Sequence, residues 1–93
     1  MVARDSKAIR RALQRKGFRV QQGHHTRLIL TIDGDDSGIR TYISHGTKDY
    51  GDSLLAAMSS QLHLSKAELL EFIDCKMSGE AYLALLRERG HIA

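Results

Sequence analysis

Residues 26–44 read TRLILTIDGDDSGIRTYIS, and they determine the fold that the sequence predicts. Residues 26–32 alternate along the chain, with the aliphatic even-numbered side chains on one face, as in a strand with one buried side. Residues 39–44 alternate in the same way. Because the intervening residues 33–38 are rich in Asp and Gly, the two runs predict a β-hairpin.

The hairpin has one face that packs on a core and one face that stays open. Even-numbered residues of the first run must share a face with odd-numbered residues of the second, since a slip of one residue would bury the wrong set. The open face then carries Arg27, Arg40 and Tyr42. It also carries His25 if the strand extends back past Thr26.

The expected register determines which residues lie near the start of this strand. It places Arg27 near Ser44 and His25 near Gly46. Lys48 follows shortly after Gly46 and is therefore a candidate phosphate contact.

A helix and a short strand are expected before the hairpin. Asp5 or Ser6 can cap a first helix, and Gly17 is a suitable end for it. Residues 18–22 then alternate over a short length and predict a first strand.

After the hairpin, residues 46–51 are expected to form a loop. A second helix starts near Asp52, and its apolar residues, Leu54 and Leu55 among them, are expected to face the core. Ser65 and Glu68 have the spacing of a capping box, which predicts a third helix.

A fourth helix is expected to run from Ser78 to Gly90. The order helix, three strands, helix predicts an α+β fold in which helices cover one face of a small antiparallel sheet. This topology resembles the double-stranded-RNA-binding domain, with short C-terminal helices added. Residues 1–93 are expected to form one domain, with a core over 1–64 and a helical tail over 65–93.

Charge is distributed unevenly along the chain. Eight of the 14 Lys and Arg residues lie in residues 1–32 beside a single acid, whereas residues 33–93 hold ten of the 11 acids. A basic first third is typical of a protein that binds a polyanion such as RNA, although a solvated cationic helix has the same composition. Arg11 and Arg15 on the first helix are candidate RNA contacts.

The composition argues against several classes of protein. Cys75 is the only cysteine, so neither an intrachain disulfide nor a cysteine-rich zinc site can form, and a reducing cytosol is the expected compartment. The apolar runs are far shorter than the ~20 residues of a membrane span, and no signal peptide is expected.

His24 and His25 stand where a glycine turn leads into the hairpin. Histidine is the usual side chain for proton transfer near neutral pH. Cleavage of RNA without a metal needs a base for the 2′-hydroxyl proton, an acid for the departing 5′-oxygen and cations around the phosphate. His25, on the same face as Arg27, is a candidate for the proton transfer. The alternative is that the two histidines are exposed surface residues without a function.

His45 is a second histidine site in the hairpin region. It can supply the missing acid or base, or it can simply hydrogen-bond the loop in which it lies. A metal site would need His24, His25 and His45 to converge, and adjacent residues of a strand point apart, so no metal is expected.

Three stretches together resemble the HicA family. They are KGF at 16–18, QGHHT at 22–26 and IRTYISHG at 39–46. Aligned with the family, Gly23 matches its glycine and His25 its catalytic histidine. His24 stands where a small or polar residue is common, which makes it the second candidate. The segments YGDSLL, QLHLSK and FIDC, at 50–55, 61–66 and 72–75, resemble a longer subgroup of the same family.

The resemblance implies the toxin of a type II toxin–antitoxin pair. Such a protein is a cytoplasmic endoribonuclease that cleaves mRNA through one histidine, without a metal or another cofactor. It is silenced by a HicB-like antitoxin that covers the site. We expect Gly23 to shape the approach to His25.

Two other functions are compatible with the same residues. A non-catalytic RNA-binding module would need the basic surface but not His25. A protein-interaction domain would pair its open sheet edge or its C-terminal helices with a partner and would have no affinity for RNA.

Overall fold

A computed structural model describes residues 3–44 and 46–93, and it confirms an α+β fold. The elements in chain order are β1 (Arg4–Asp5), α1 (Ser6–Arg15), β2 (Phe18–Gln21), β3 (Thr26–Ile32), β4 (Asp35–Ile43), β5 (Asp49–Tyr50), α2 (Asp52–Gln61), α3 (Lys66–Ile73) and α4 (Gly79–Glu88). The main sheet is antiparallel, with β3 between β2 and β4. In the described part of the chain, no helix is long and apolar enough to cross a membrane.

The hairpin between β3 and β4 turns more tightly than expected. Asp33 and Gly34 have φ angles of 54° and 86°, and positive φ at both central positions is what a two-residue type I′ turn requires. Ile32 pairs with Asp35 directly across this turn. The predicted turn over residues 33–38 is therefore wrong, because Asp-Gly alone completes the reversal and β4 begins at Asp35.

Ser37 and Gly38, which the sequence places in the predicted turn, lie in a β-bulge of the hairpin. The register shifts between Ile29 and Thr31. The Ser37 hydroxyl donates a hydrogen bond to the carbonyl oxygen of Leu30 at 2.7 Å, and Gly38 has a φ of 85° that suits glycine. These residues therefore belong to the strand, not to a loop.

The tight turn and the bulge together change the partner of Arg27. Arg27 pairs with Tyr42 and does not lie near Ser44, so the predicted register is wrong by two residues. The last pair at this end of the ladder is Thr26 with Ile43, and His25 comes directly before it in the chain. An error of two leaves every side chain on its predicted face, because the side-chain period of a strand is two.

The starts of α1, α3 and α4 follow the capping signals in the sequence. Asp5 caps α1 through its side chain, and Gly17, with a φ of 100°, follows the end of that helix. Ser65 and Glu68 form the predicted capping box of α3. Ser78 caps α4 through its hydroxyl.

A second, two-stranded sheet was not predicted. β1 pairs with β5, with Arg4 opposite Tyr50, so residues 46–51 are not entirely a loop as expected. Strands of two residues are too short to show a periodic pattern in a sequence. The buried Tyr50 hydroxyl accepts a hydrogen bond from the Ser44 amide at 3.0 Å, which ties the end of β4 to this small sheet.

A single apolar core joins one face of the main sheet to the helices. Leu28 and Leu30 of β3 belong to it. The ring of Phe18 in β2 lies 6.3 Å from that of Phe72 in α3 and 6.1 Å from that of Tyr82 in α4. Residues of the segment 65–93 therefore contribute to the same core as the sheet.

Leu54 was expected to face the core, but it does not. Its side chain is 41% exposed, whereas Leu55 is fully buried. Adjacent residues of a helix are about 100° apart around its axis, and here that angle places Leu54 outside the buried stripe. The buried stripe of α2 is formed by Leu55 and Met58, and Leu62 at the end of the helix continues it.

Candidate functional site

The two adjacent histidines lie in the loop that joins β2 to β3. β2 ends at Gln21 and β3 begins at Thr26, so the strand does not extend back to include His25. Both His24 and His25 are exposed. The loop, and not strand alternation, therefore sets the positions of these two side chains.

The base of this loop is held by local pairing. Gln21 is opposite Arg27, and the Thr26 hydroxyl donates to the side-chain oxygen of Gln22 at 3.2 Å. These contacts anchor both ends of the loop on the sheet.

Gly23 occupies a position that tolerates a side chain in the isolated protein. Its φ is not in the left-handed region, and an added Cβ would lie 3.7 Å from the carbonyl oxygen of His25, an ordinary van der Waals distance. The loop conformation alone therefore does not require glycine here. A requirement would come from a ligand that approaches the backbone closely.

His24 and His25 are accessible but are not oriented by another side chain. Neither ring makes a hydrogen bond or an ion pair with residues 3–44 or 46–93. Within those residues, no three His, Cys, Asp or Glu side chains are grouped so that they could hold a metal ion. His45, the candidate supporting residue, lies outside the described residues.

His25 lies at the end of the sheet where β4 also ends. Thr26 is paired with Ile43, so His25, just before β3, and Ser44, just after β4, both lie beyond this last pair. A ligand bound at His25 would therefore be next to the loop that leaves β4.

Lys48 lies on that loop. The chain turns back after Ser44, whose carbonyl oxygen accepts a hydrogen bond from the Thr47 amide at 3.3 Å. The Lys48 carbonyl oxygen accepts from the Ser6 amide at 2.7 Å, and the residue is exposed. Lys48 is thus at the same end of the sheet as His25, close to the start of α1.

Arg27 and Arg40 lie on the open face of the sheet, as predicted from alternation. Arg27 is opposite Tyr42, and Arg40 is opposite Ile29. Arg27 is exposed and Arg40 is half-buried. Arg40 also forms an ion pair with Asp36 at 3.4 Å.

Arg19 also lies on the open face, and the sequence reasoning did not select it. It is opposite Ile29, on the side away from Arg40, and it is exposed. The pairing of so short a strand could not be read from the sequence. The sequence feature that could have identified Arg19 is its position next to Phe18, because adjacent residues of a strand point to opposite faces and Phe18 is buried.

Arg11 and Arg15 lie on the other side of the sheet. α1 packs through Ile9, Ala12 and Leu13 onto the covered face, and its two exposed arginines face away from that packing. A shallow surface depression on this helix is lined by Lys7, Arg10, Arg11 and Gln14. The fold therefore does not bring Arg11 or Arg15 together with the open face.

Comparison with protein-family models, curated proteins and solved structures gives no match to this chain. The arrangement of its own residues is therefore the basis for any proposal about function.

Proposed function

We propose that this protein is a metal-independent endoribonuclease toxin of the HicA-like type, with His25 as its catalytic residue. One observation carries the proposal: His25 is an exposed histidine at the end of a sheet whose open face carries Arg27 and Arg40. An imidazole can transfer protons at neutral pH while neighbouring guanidinium groups hold a phosphate. We also propose that the core resembles a double-stranded-RNA-binding domain, which would be compatible with this function but would not determine it.

In the proposed reaction, His25 accepts the proton of a ribose 2′-hydroxyl. The 2′-oxygen attacks the adjacent phosphorus, the bond from phosphorus to the 5′-oxygen breaks, and the departing oxygen takes a proton from a water molecule. The protonated His25 then gives its proton to the hydroxide that remains, which restores the neutral imidazole. The products are a 2′,3′-cyclic phosphate and a 5′-hydroxyl. Arg27 and Arg40 stabilise the negative charge that develops on the phosphate oxygens.

The other candidate residues have supporting roles in this proposal. Gly23 leaves room for the RNA backbone beside His25, and Lys48 contacts a phosphate at the same end of the sheet. Arg11 and Arg15 hold RNA away from the point of cleavage. His24 is the second candidate for the catalytic residue.

The proposed partner is a HicB-like antitoxin in the cytoplasm. It would inhibit by covering His25 and the adjacent open face, where mRNA must bind. An exposed loop at the end of a sheet is accessible to both the substrate and an inhibitor.

A non-catalytic RNA-binding module is the second candidate function. It is favoured because no described residue hydrogen-bonds His24 or His25, whereas the base in a catalytic pair is commonly oriented by a further group. Such a module requires the arginines but not an imidazole.

An RNA-cleavage assay in EDTA distinguishes these two functions. We expect the wild type to cleave RNA and His25→Ala to be slower by about 10²- to 10⁴-fold, the usual contribution of a general acid–base group. The new RNA ends should carry a cyclic phosphate. His24→Ala shows whether the neighbouring imidazole takes part.

His91→Ala is the matched control, because His91 is an exposed histidine on the far C-terminal segment, where it stacks on His63. It should cleave at the wild-type rate. Wild-type activity in His25→Ala would exclude the catalytic assignment. Salt-sensitive RNA binding without cleavage by the wild type would favour the binding module.

A further inference from the structure

We infer that the open face of the sheet binds single-stranded RNA, with Tyr42 stacking on a base and Arg19 contacting a phosphate. The inference rests on the proposed function, because it assigns the surface on which the RNA substrate lies. Neither Tyr42 nor Arg19 takes part in the proton transfer proposed for His25.

The surface consists of two cross-strand rows on one face of the sheet. The rows are Gln21, Arg27, Tyr42 and Arg19, Ile29, Arg40. Residues directly opposite each other have Cβ atoms about 4.5–5.5 Å apart, and the two rows are about 7 Å apart along the strands. Three guanidinium groups and one phenol ring therefore share a single small patch.

Ile29 shows how this patch is organised. It is only 2% exposed, yet it does not belong to the apolar core that joins the sheet to the helices. Since the helices cover the other face, the neighbours of Ile29 on its own face must cover it, and Arg19 and Arg40 flank it directly. The aliphatic parts of arginine side chains can lie over an apolar residue while their charged ends remain in water.

This cover restricts the arginines before any ligand binds. A side chain whose stem already packs on Ile29 loses less conformational freedom when its guanidinium group contacts a phosphate. The patch is therefore better organised for binding than the same number of arginines on a solvated helix.

The charge of the patch is mostly not neutralised by the protein. Neither Arg19 nor Arg27 forms an ion pair with a described residue, whereas Arg4 and Arg89 are held by carboxylates at 2.7 and 2.6 Å. The pair of Arg40 with Asp36 is long, at 3.4 Å, and both side chains are about two-fifths exposed, so it is weak. A polyanion would thus meet three arginines with little competition.

Tyr42 favours a nucleic acid over a polyanion that has no bases. It is 39% exposed, one of two large hydrophobic side chains that the described residues expose strongly. An aromatic ring among arginines on a sheet is suited to stack on a nucleic-acid base while the arginines contact the backbone. An acidic protein would satisfy the arginines but would have no need of the ring.

The ring also favours a single strand over a duplex. In a duplex the bases are stacked on one another, and recognition uses phosphates and 2′-hydroxyls across the minor groove. Unstacked bases are available only in single-stranded segments, loops and ends. Tyr42 would therefore contribute to the binding of single-stranded RNA and not to the binding of a duplex.

Fluorescence anisotropy with a labelled single-stranded RNA oligonucleotide tests the inference. The full chain is used with His25→Ala, so that the RNA remains intact. Tyr42→Ala should weaken binding by about fivefold or more, the loss expected for one stacked base, and Tyr42→Phe should restore the affinity. Binding of a perfectly paired RNA duplex should not respond to Tyr42→Ala.

Arg19→Gln tests the phosphate contact while keeping an aliphatic stem over Ile29. It should weaken binding and reduce the dependence of log K on log salt by about 0.7, the value for one phosphate of a single strand. Arg87→Gln is the charge-matched control, because Arg87 is exposed on α4 and donates to the carbonyl oxygen of Ala93. Thermal unfolding of each variant verifies that it is folded.

Unchanged RNA affinity in both Tyr42→Ala and Arg19→Gln would overturn the inference. It would also be overturned if Arg11→Gln, on α1, weakened binding while those two variants did not, or if the open face bound only a protein. The proposed function fails separately, by absence of cleavage in the wild type. The binding measurement is made in a non-cleaving background and does not depend on that result.

Discussion

Arg89 binds both carboxylate oxygens of Glu68, with nitrogen–oxygen distances of 3.1 and 2.6 Å. The same carboxylate accepts a hydrogen bond from the Ser65 amide at 2.8 Å, as part of the capping box of α3. Arg89 also donates to the carbonyl oxygen of His63 at 2.9 Å. One ion pair therefore joins the end of α4 to the start of α3 and to the turn before it.

Glu68→Gln should make the protein less stable at neutral pH but not in strong acid. The hydrogen bond from Arg89, with that from the Ser65 amide, lowers the pKa of Glu68 from its ordinary 4.5 to about 2. Between these values the folded protein binds fewer protons than the unfolded chain, so this contribution to stability is complete above about 4.5 and is lost as the pH falls toward 2. Urea unfolding of both proteins from pH 7 to pH 2 should show their stabilities converging.

Glu71→Gln is the control for this effect, because Glu71 is an exposed carboxylate on the same helix. Its stability should follow that of the wild type across the pH range. A constant difference between Glu68→Gln and the wild type down to pH 2 would show that the charge of Glu68 is not the source of the stabilisation.

Tyr82→Phe should lower the free energy of unfolding by about 1–3 kcal/mol, the cost of leaving a buried acceptor without its donor. The Tyr82 side chain is fully buried, and its hydroxyl donates to the carbonyl oxygen of Leu62 at 2.8 Å. Burial also raises the pKa of Tyr82, so the hydroxyl remains a donor at neutral pH. Chemical denaturation measures the loss. Tyr42→Phe, at an exposed position, should change stability by less than about 0.5 kcal/mol, and equal effects in both variants would contradict the prediction.

Leu55→Ala and Leu54→Ala should differ strongly although the residues are adjacent. Leu55 is fully buried, so its truncation should cost about 2–5 kcal/mol through lost burial and a cavity. Leu54 is 41% exposed, and its truncation should be close to neutral. The two midpoints of thermal unfolding measure the difference. Similar losses would mean that α2 presents a different face to the core.

The elements that the sequence predicted well are those with local causes. Strand β3 was predicted over the residues that the structure assigns to it, Thr26–Ile32, because its alternation is visible in seven consecutive residues. The starts of α1, α3 and α4 follow from capping side chains that act within a few residues. In each case, interactions between residues close together in the sequence were sufficient to predict the element.

The features that the sequence did not reveal depend on pairing between distant residues. The register of Arg27 depends on a bulge at Ser37 and Gly38, whose polar residues are equally typical of a turn. The pairing of β1 with β5 joins segments about half the chain apart and leaves no periodic trace. Arg19 was missed for the same reason, since its neighbour Ile29 is determined by strand pairing.

The candidate site was predicted in part. Alternation was enough to assign Arg27 and Arg40 to the open face, and the structure brings Lys48 to the same end of the sheet as His25. Arg11 and Arg15 lie on the opposite side of the sheet, which follows from the prediction that helices cover the apolar face and leave the face with Arg27 and Arg40 open. The basic residues of the first third of the chain therefore lie on two separate surfaces of the folded protein.

Gly23→Ala should reduce RNA cleavage without reducing stability. The loop has space for the added methyl group, 3.7 Å from the nearest atom, and Gly23 does not have a positive φ, so unfolding should change by less than about 0.5 kcal/mol. If RNA approaches the backbone beside His25, the same methyl group would obstruct it. Gly34→Ala provides the opposite control, since a φ of 86° in the turn should cost about 1–2 kcal/mol in stability while the activity of the folded protein is retained. Full cleavage by Gly23→Ala would contradict the prediction and would mean that the RNA does not approach the backbone at Gly23.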